Sequence, residues 1–326
     1  MKAAVLHGPR DIRVEKVGNP VIKANEVLLK VKACGICGTD LHAYRTGKSR
    51  NRILGHEFSG EVVEVGLDIK GVGMGDRVVG TGFTRDGGSL KVPGEGLDGA
   101  FAEYVVIPNP MMGQMFFRVP EGLSWEVAAT IEPVSVACYF INHTDLQAKD
   151  TVVVLGAGMV GLCITQVCKA LGISKVIVSE PSLLRRLMAA ELGADVVIDP
   201  TAVDPVDVVA RATDGKKAKV IFECSGNPAA FSQAPYMARF GGMVMQIGFT
   251  ERQVHLSPDL VSMMIMKNIT LRYCGGQKWD QAVELMATGK VKTEKLITKI
   301  IPLDEADLAF ETQLKANDII KVIIKP

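Results

Sequence analysis

Through the first third of the chain, apolar residues come in short runs broken by glycine and proline. Residues 27–32, 60–65 and 76–79 are rich in β-branched residues and read as short strands. Residues 80–100 are glycine-rich, hold no long apolar run, and read as a surface loop or extended hairpin. From residue 151 the rhythm changes. A β-branched run at 151–155 is followed by helical spacing over 160–171, with Gly172 as a stop. The alternation continues with strand 175–179, helix 183–192, strand 194–198, helix 205–212, strand 219–223, helix 228–239, strand 243–247, helix 257–266 and strand 270–273. Six strands with intervening helices predict an α/β fold built on a doubly wound, six-stranded parallel sheet of Rossmann type. The C-terminal part predicts a helix over 279–290, an apolar run at 296–301, a helix from Asp304 and a last strand over 319–324.

The stretch 151–168 carries no formal charge, but it breaks at a glycine cluster and reads as a strand plus a helix, not a membrane span. The first apolar run, residues 3–6, is too short for a signal peptide. With 37 Lys+Arg against 36 Asp+Glu there is no basic excess to hold a phosphate backbone, so no nucleic-acid partner and no membrane are expected. Seven cysteines, an odd number, argue against a disulfide-stapled secreted protein and for a reducing, cytoplasmic setting. The 326 residues suggest about two domains.

Chemistry enters at two places. Gly156-Ala157-Gly158-Met159-Val160-Gly161 is a G-x-G-x-x-G that follows a predicted strand and opens a predicted helix. Gly156 would allow the tight turn, Gly158 the approach of a pyrophosphate, and Gly161 the packing of helix on sheet. Glu180 ends the second strand of that half; an acid there hydrogen-bonds ribose hydroxyls and favours NAD over NADP. Arg185 and Arg186 lie close enough to soften that preference. The second place is Cys34-Gly35-Ile36-Cys37-Gly38-Thr39-Asp40-Leu41-His42 together with Gly55-His56-Glu57. A four-cysteine zinc knot is not expected, since the next cysteine is Cys138. A thioredoxin-like redox pair is not expected either, because the C-x-x-C does not open a βαβ unit. Thiolate, imidazole and carboxylate together make a credible zinc set.

These segments resemble the zinc-dependent medium-chain alcohol and polyol dehydrogenases. His56-Glu57-x-x-Gly60-x5-Gly66-x-x-Ile69 is similar to that family's zinc signature at every position. The G-I-C-G-T-D-L-H run, Gly75-Asp76-Arg77-Val78, residues 99–104 and Glu132-Pro133 match as well, and the resemblance covers essentially the whole chain. It implies a GroES-like, partly β catalytic domain of residues 1–134 and 275–326, and a NAD-binding Rossmann domain of residues 135–274. It implies Cys37 and His56 as zinc ligands, with Cys34 at a non-ligand position. Glu57 matches the carboxylate that ligates zinc directly in the polyol branch; Glu132 matches a position that binds zinc or holds its water. Glu57, Glu132 or water is left to complete the shell. Asp40 matches a carboxylate that orients the histidine ligand; Thr39 and His42 match a proton relay. Many relatives hold a second, structural zinc with four cysteines in the lobe corresponding to residues 80–100. This chain has no cysteine between Gly38 and Val136, so one catalytic Zn2+ and no structural zinc are expected.

The implied reaction is hydride transfer between a secondary alcohol and NAD, in the cleft between the two domains. A neutral alcohol is a poor hydride donor, and Zn2+ brings bound water from a pKa near 16 to about 7. The substrate is expected to be a polyol, a vicinal diol or L-threonine. Residues 39–44 resemble the threonine and diol branches; Arg272-Tyr273-Cys274 resembles the polyol branch, with Arg272 and Tyr273 as candidates to hold substrate. By analogy a homotetramer or homodimer is expected. The alternatives are a zinc-free quinone or enoyl reductase of the same fold, and a non-catalytic NAD-binding scaffold.

Overall fold

The computed structural model describes residues 1–86, 89–250, 252–315 and 318–326. The chain divides into two compact units: Met1–Ser135 with Trp279–Pro326, and Val136–Lys278. Among the described residues, no helix is long and apolar enough to cross a membrane.

The second unit is built on a six-stranded parallel sheet. Its spatial order is Val196–Ile198, Lys175–Ser179, Thr151–Leu155, Ala218–Glu223, Ala238–Gln246, Thr270–Tyr273. In order of sequence that is 3-2-1-4-5-6, the doubly wound topology that places its reversal between Thr151–Leu155 and Ala218–Glu223. Both central strands are buried on both faces, which is why they read as unbroken apolar runs. The helices between them start at short polar caps. Ser182 accepts from the Arg185 N–H, Asp204 from Val206, Asn227 from Ala229, and Ser257 from Leu260. One element departs from the expected pattern. The helix expected to reach residue 239 stops at Met237, and the next strand begins at Ala238 instead of 243. Gly241, with φ +66°, and Gly242 sit inside that strand and bulge it between its Ala238 and Met243 pairings. The glycine pair disguised a strand as a turn.

The first unit holds a mainly antiparallel sheet in the order Phe116–Arg118, Arg77–Gly80, Glu57–Val65, Glu26–Gly35, Lys321–Lys325, Ile297–Pro302, with Tyr104–Pro108 also paired to Glu26–Gly35. Strands expected at 27–32 and 60–65 extend to Glu26–Gly35 and Glu57–Val65. The segment 80–100 contains short strands Thr84–Asp86, Ser89–Pro93 and Gly96–Leu97. Its residues 87–88 lie outside the described residues. The last strand pairs antiparallel with Glu26–Gly35, Ile323 opposite Gly35 and Ile324 opposite Cys34. The chain's end is thereby knitted into the sheet that carries the cysteine segment.

The helix Ala306–Lys315, entered through a 3-10 turn at Leu303–Glu305, closes this unit. Phe310 packs edge-on against Phe101 at 5.4 Å and against Tyr44 at 5.0 Å. Beside it, Glu311 is held by Lys315, Tyr44 and Arg10, which pull its pKa from the ordinary 4.5 to about 2. Burial and the same carboxylate push the Tyr44 phenol up to about 12. A depressed carboxylate stabilises the fold above its unfolded pKa and loses that contribution as pH falls through the folded one. Glu311→Gln should therefore lower the stability of this unit at neutral pH. The gap from the parent should close between pH 4.5 and about 2 in parallel denaturant melts. A gap that persists unchanged to the acid limit would show that packing, not charge, is lost.

Candidate metal and dinucleotide sites

Register brings the metal-ligand candidates together. Strands Glu26–Gly35 and Glu57–Val65 pair with Gly35 opposite Glu57. Cys37, just past the end of one strand, and His56, just before the start of the other, therefore meet at one end of the sheet. One donor atom from each of Cys37, His56 and Glu57 lies within 4.8 Å of the others; among the described residues no other such trio occurs. Thiolate, imidazole and carboxylate at that spacing fit a tetrahedral zinc ion.

Cys37 is the N-cap of helix Gly38–Thr46. Asp40, only 2% exposed, ties the two ligand segments together. Its Oδ2 accepts from the Cys37 N–H at 2.9 Å and its Oδ1 from the Gly55 N–H at 3.3 Å. Oδ1 also faces His56 Nδ1 at 3.8 Å, a contact of charge more than a hydrogen bond. Burial pushes the Asp40 carboxyl up, opposed by the charge of His56 and the Cys37 N–H. Burial works against a charged His56, yet Cys37, Asp40 and Glu132 lift its pKa well above the ordinary 6.5. The pocket thus gathers negative donors around a position suited to a cation.

The signature glycines serve packing. A Cβ on Gly66 would lie 2.3 Å from the Ala24 carbonyl oxygen, and one on Gly60 2.8 Å from that of Lys30. Gly55 has φ +99°, and its Cβ would meet Cys34 Sγ at 2.8 Å. Cys34 is fully buried there and its thiol is pushed well up by burial, as suits a small packing residue.

Thr39 and His42 follow on the same helix, three residues apart and so on one face. The Oγ1 of Thr39 is buried with no hydrogen-bond partner. Glu132 lies in the first turn of helix Ile131–Asn142 at 4% exposure. Its charge reaches His56 and Lys321, but its carboxylate stands outside the 4.8 Å trio.

Sequence reasoning missed Lys321. Its ammonium is buried and donates to Glu57 Oε2 at 2.6 Å, to Glu57 Oε1 at 2.9 Å and to the Ile36 carbonyl at 2.8 Å. Burial opposes its charge, but Glu57, Cys37 and Glu132 raise its pKa above the ordinary lysine value. The signal was present: a lone lysine inside an apolar strand has to be paired if it points inward.

In the second unit the three motif glycines do three different things. Gly156 has φ +96°, which only glycine adopts freely. A Cβ on Gly161 would lie 2.0 Å from the Gly156 carbonyl oxygen, so the helix packs on the turn only without one. A Cβ on Gly158 would meet nothing within 4 Å, and Gly158 caps helix Met159–Ala170 without a side-chain hydrogen bond. Open space before an uncapped helix start suits a phosphate. Glu180 is buried; its Oε2 accepts from the Ala157 N–H at 2.7 Å and its Oε1 from Ser182 at 2.9 Å. The acid thus supports the glycine turn itself. Arg185 sits in the first turn of helix Leu183–Glu191. Arg186 is committed elsewhere: it donates to the carbonyls of Glu180 and Pro181 and pairs with Asp199 at 2.7 Å. Arg272 donates to the His143 carbonyl at 3.0 Å, a structural use, while Tyr273 is exposed on the last strand of the sheet.

Residues 23–121 match the family described as "Alcohol dehydrogenase GroES-like domain", and residues 159–288 the one described as "Zinc-binding dehydrogenase". The chain is 32% identical over 357 residues to (R,R)-butanediol dehydrogenase of Bacillus subtilis (strain 168), covering 100% of both proteins. It is 34% identical over 351 residues to sorbitol dehydrogenase of the same organism, covering 100% of this chain and 97% of that one. Among solved structures, a zinc-binding dehydrogenase from Sinorhizobium meliloti 1021, bound to NADP, superposes with a TM-score of 0.90. It shares 29% identity, over 100% of this chain and 99% of that one.

Proposed function

The chain belongs to the zinc-type medium-chain polyol dehydrogenase family, and on that premise we propose that it moves a hydride between a secondary alcohol (a polyol, a vicinal diol or L-threonine) and NAD. The observation that carries this reading is the Cys37–His56–Glu57 trio. A zinc-free reductase of the same fold has no use for three converging metal donors, and neither does a non-catalytic scaffold. Cys37 and His56 would hold one zinc per chain, with Glu57, Glu132 or water completing the shell. With no cysteine between Gly38 and Val136, no structural zinc is included. Residues 1–134 and 275–326 are assigned to the catalytic half and 135–274 to the cofactor half. A cytoplasmic homo-oligomer completes the proposal.

Zinc, when bound, would supply Lewis acidity at the substrate hydroxyl, and NAD would supply the hydride acceptor. The protein's part is placement and proton removal. Asp40 fixes both ligand segments through backbone N–H groups, so thiolate and imidazole hold their spacing. Thr39 Oγ1, buried and without a partner, is suited to accept the substrate proton while passing on its own hydroxyl proton. His42, one turn along, carries it toward solvent. Gly158 and the uncapped helix start receive the pyrophosphate. The test is NADH formation with sorbitol, xylitol, 2,3-butanediol and L-threonine, before and after chelation, with zinc added back. Turnover lost on chelation and restored by zinc is expected. Turnover indifferent to the chelator would favour the zinc-free reading.

Glu180 gives a second test. Glu180→Ala strands the Ala157 N–H of the glycine turn and the Ser182 N–H at the next helix start, and removes the acid from the ribose side. NAD affinity should fall roughly 10- to 100-fold, the effect of about 1–3 kcal/mol for an unsatisfied buried donor. NADP should lose less, so the NAD/NADP ratio of kcat/KM should drop. An unchanged ratio would mean that Glu180 serves the turn alone.

A further inference from the structure

Glu223 is a fully buried acid at the point where the order of the parallel sheet reverses. It ends the strand Ala218–Glu223, level with Leu155 on one side and Gln246 on the other. Its carboxylate accepts four hydrogen bonds. Oε1 takes the Ser225 N–H at 2.9 Å and the Ser225 hydroxyl; Oε2 takes the Gly226 N–H at 3.0 Å and Gln246 Nε2 at 2.7 Å. Its backbone carbonyl accepts from the N–H groups of Ile247 and Gly248, both at 2.8 Å. Burial raises the pKa of this acid above the ordinary 4.5, and the donors from Ser225, Gln246 and Gly226 oppose the rise. Such pairing is what lets a carboxylate stay in so dry a place.

These bonds join two turns into one body. The turn after Glu223 and the turn after Gln246 press together: a Cβ on Gly248 would lie 2.2 Å from the Gly226 nitrogen. Gln246 ties them further, since its Nε2 also donates to the Gly248 carbonyl at 2.6 Å. In doing so it leaves its own Oε1 buried without a partner, a cost that marks a functional constraint. The joined turns stand against the phosphate turn: a Cβ on Gly156 would lie 3.0 Å from the Cβ and the nitrogen of Ser225. A dinucleotide lies across such a reversal point, one nucleotide to each half of the sheet. Glu180 holds the turn of the first half, where the acid meets the adenosine ribose. The second half is left for the nicotinamide. We propose that Glu223 is a positioning residue for the nicotinamide half of the cofactor, fixing both turns as one wall beside the glycine turn. This rests on the dinucleotide reading above and gives the second half-site an anchor of its own.

The test compares NADH with ADP-ribose, which keeps the adenosine and pyrophosphate and lacks the nicotinamide. Both are titrated against the full-length protein, NADH by its fluorescence and ADP-ribose by calorimetry. Glu223→Gln keeps the size of the side chain but turns an acceptor into a donor, facing donors that then have no partner. NADH should bind about 10-fold or more weakly, the scale of a buried donor left unsatisfied, while ADP-ribose stays within about 2-fold of the parent. The emission of bound NADH at saturation should move toward that of free NADH, because the ring is held less firmly, and kcat should fall. The NAD/NADP ratio of kcat/KM should keep its parent value, unlike in Glu180→Ala. Gln246→Leu, which leaves Glu223 in place and releases the second turn, should act in the same direction by roughly 3-fold or more. Equal losses for NADH and ADP-ribose in Glu223→Gln would overturn the proposal, since Glu223 would then serve the fold or the adenosine side. Parent-like NADH binding and emission would overturn it too. If Glu223→Gln does not fold, Gln246→Leu decides by the same comparison. A parent protein that binds neither NADH nor ADP-ribose would instead defeat the cofactor reading, and this inference with it.

Discussion

Cys37→Ser is expected to lose zinc and at least about 10³-fold in kcat/KM while the fold and NADH binding survive. The size follows from acidity. A zinc site lowers the pKa of bound water from ~16 to about 7. At about 1.4 kcal/mol per unit that is on the order of 12 kcal/mol. If only a third of it is expressed in the transition state, ~4 kcal/mol, the rate changes by about 10³. Survival of the fold follows from where Cys37 sits. It is the N-cap of helix Gly38–Thr46, and serine is among the best N-cap residues. Asp40 takes the backbone N–H of residue 37, which the substitution keeps. What changes is the donor, from a soft anionic thiolate to a neutral hydroxyl. Metal analysis, thermal melts and NADH titration on one preparation separate these effects. Full turnover in protein shown to have lost its zinc would transfer the catalysis to the protein alone.

The second large effect is expected at the glycine turn, where two glycines three residues apart should behave oppositely. Gly161→Val puts a side chain where a Cβ already lies 2.0 Å from the Gly156 carbonyl and 3.4 Å from Val154. The backbone must open, at a cost of about 3 kcal/mol or more. A fall in melting temperature of roughly 10 °C should accompany it. Gly158→Val meets nothing within 4 Å and keeps an ordinary φ of −73°, so its melting temperature should barely move. Its side chain fills the open space before the uncapped helix, and NADH affinity should drop by about 10-fold or more, an effect of ~1.4 kcal/mol. Thermal melts with NADH fluorescence titrations read both. Parent-like NADH binding by Gly158→Val would mean that this turn does not cradle the phosphates.

The outcome at each site depended on how local its cause is. The six strands were legible because parallel strands buried on both faces must be apolar throughout. The one that was misread, Ala238–Gln246, carries a bulged glycine pair whose pairing with Ala218–Glu223 no local rule anticipates. The glycine turn was legible because its demands, a positive φ, one close approach and one open position, lie within six residues. Which groups Arg186 and Arg272 would reach was not legible. A charged side chain does not announce which carbonyl it will reach, and these settle on Glu180, Pro181 and His143.

The sequence by itself determined the residue types: a thiolate, an imidazole and a carboxylate within twenty-one positions of one another (37 to 57), and a phosphate turn at a strand end. It also determined the six-fold alternation of strand and helix, because hydrophobic period and glycine punctuation are short-range signals. Tertiary structure alone decided what those residues touch. Antiparallel register brought Cys37 to His56 and set the final strand beside Gly35. That register carried Lys321 across 264 positions to both oxygens of Glu57. Such a contact comes from sheet pairing between distant segments, where a slip of one residue would turn the lysine to the other face. No window of sequence short enough to read contains both partners.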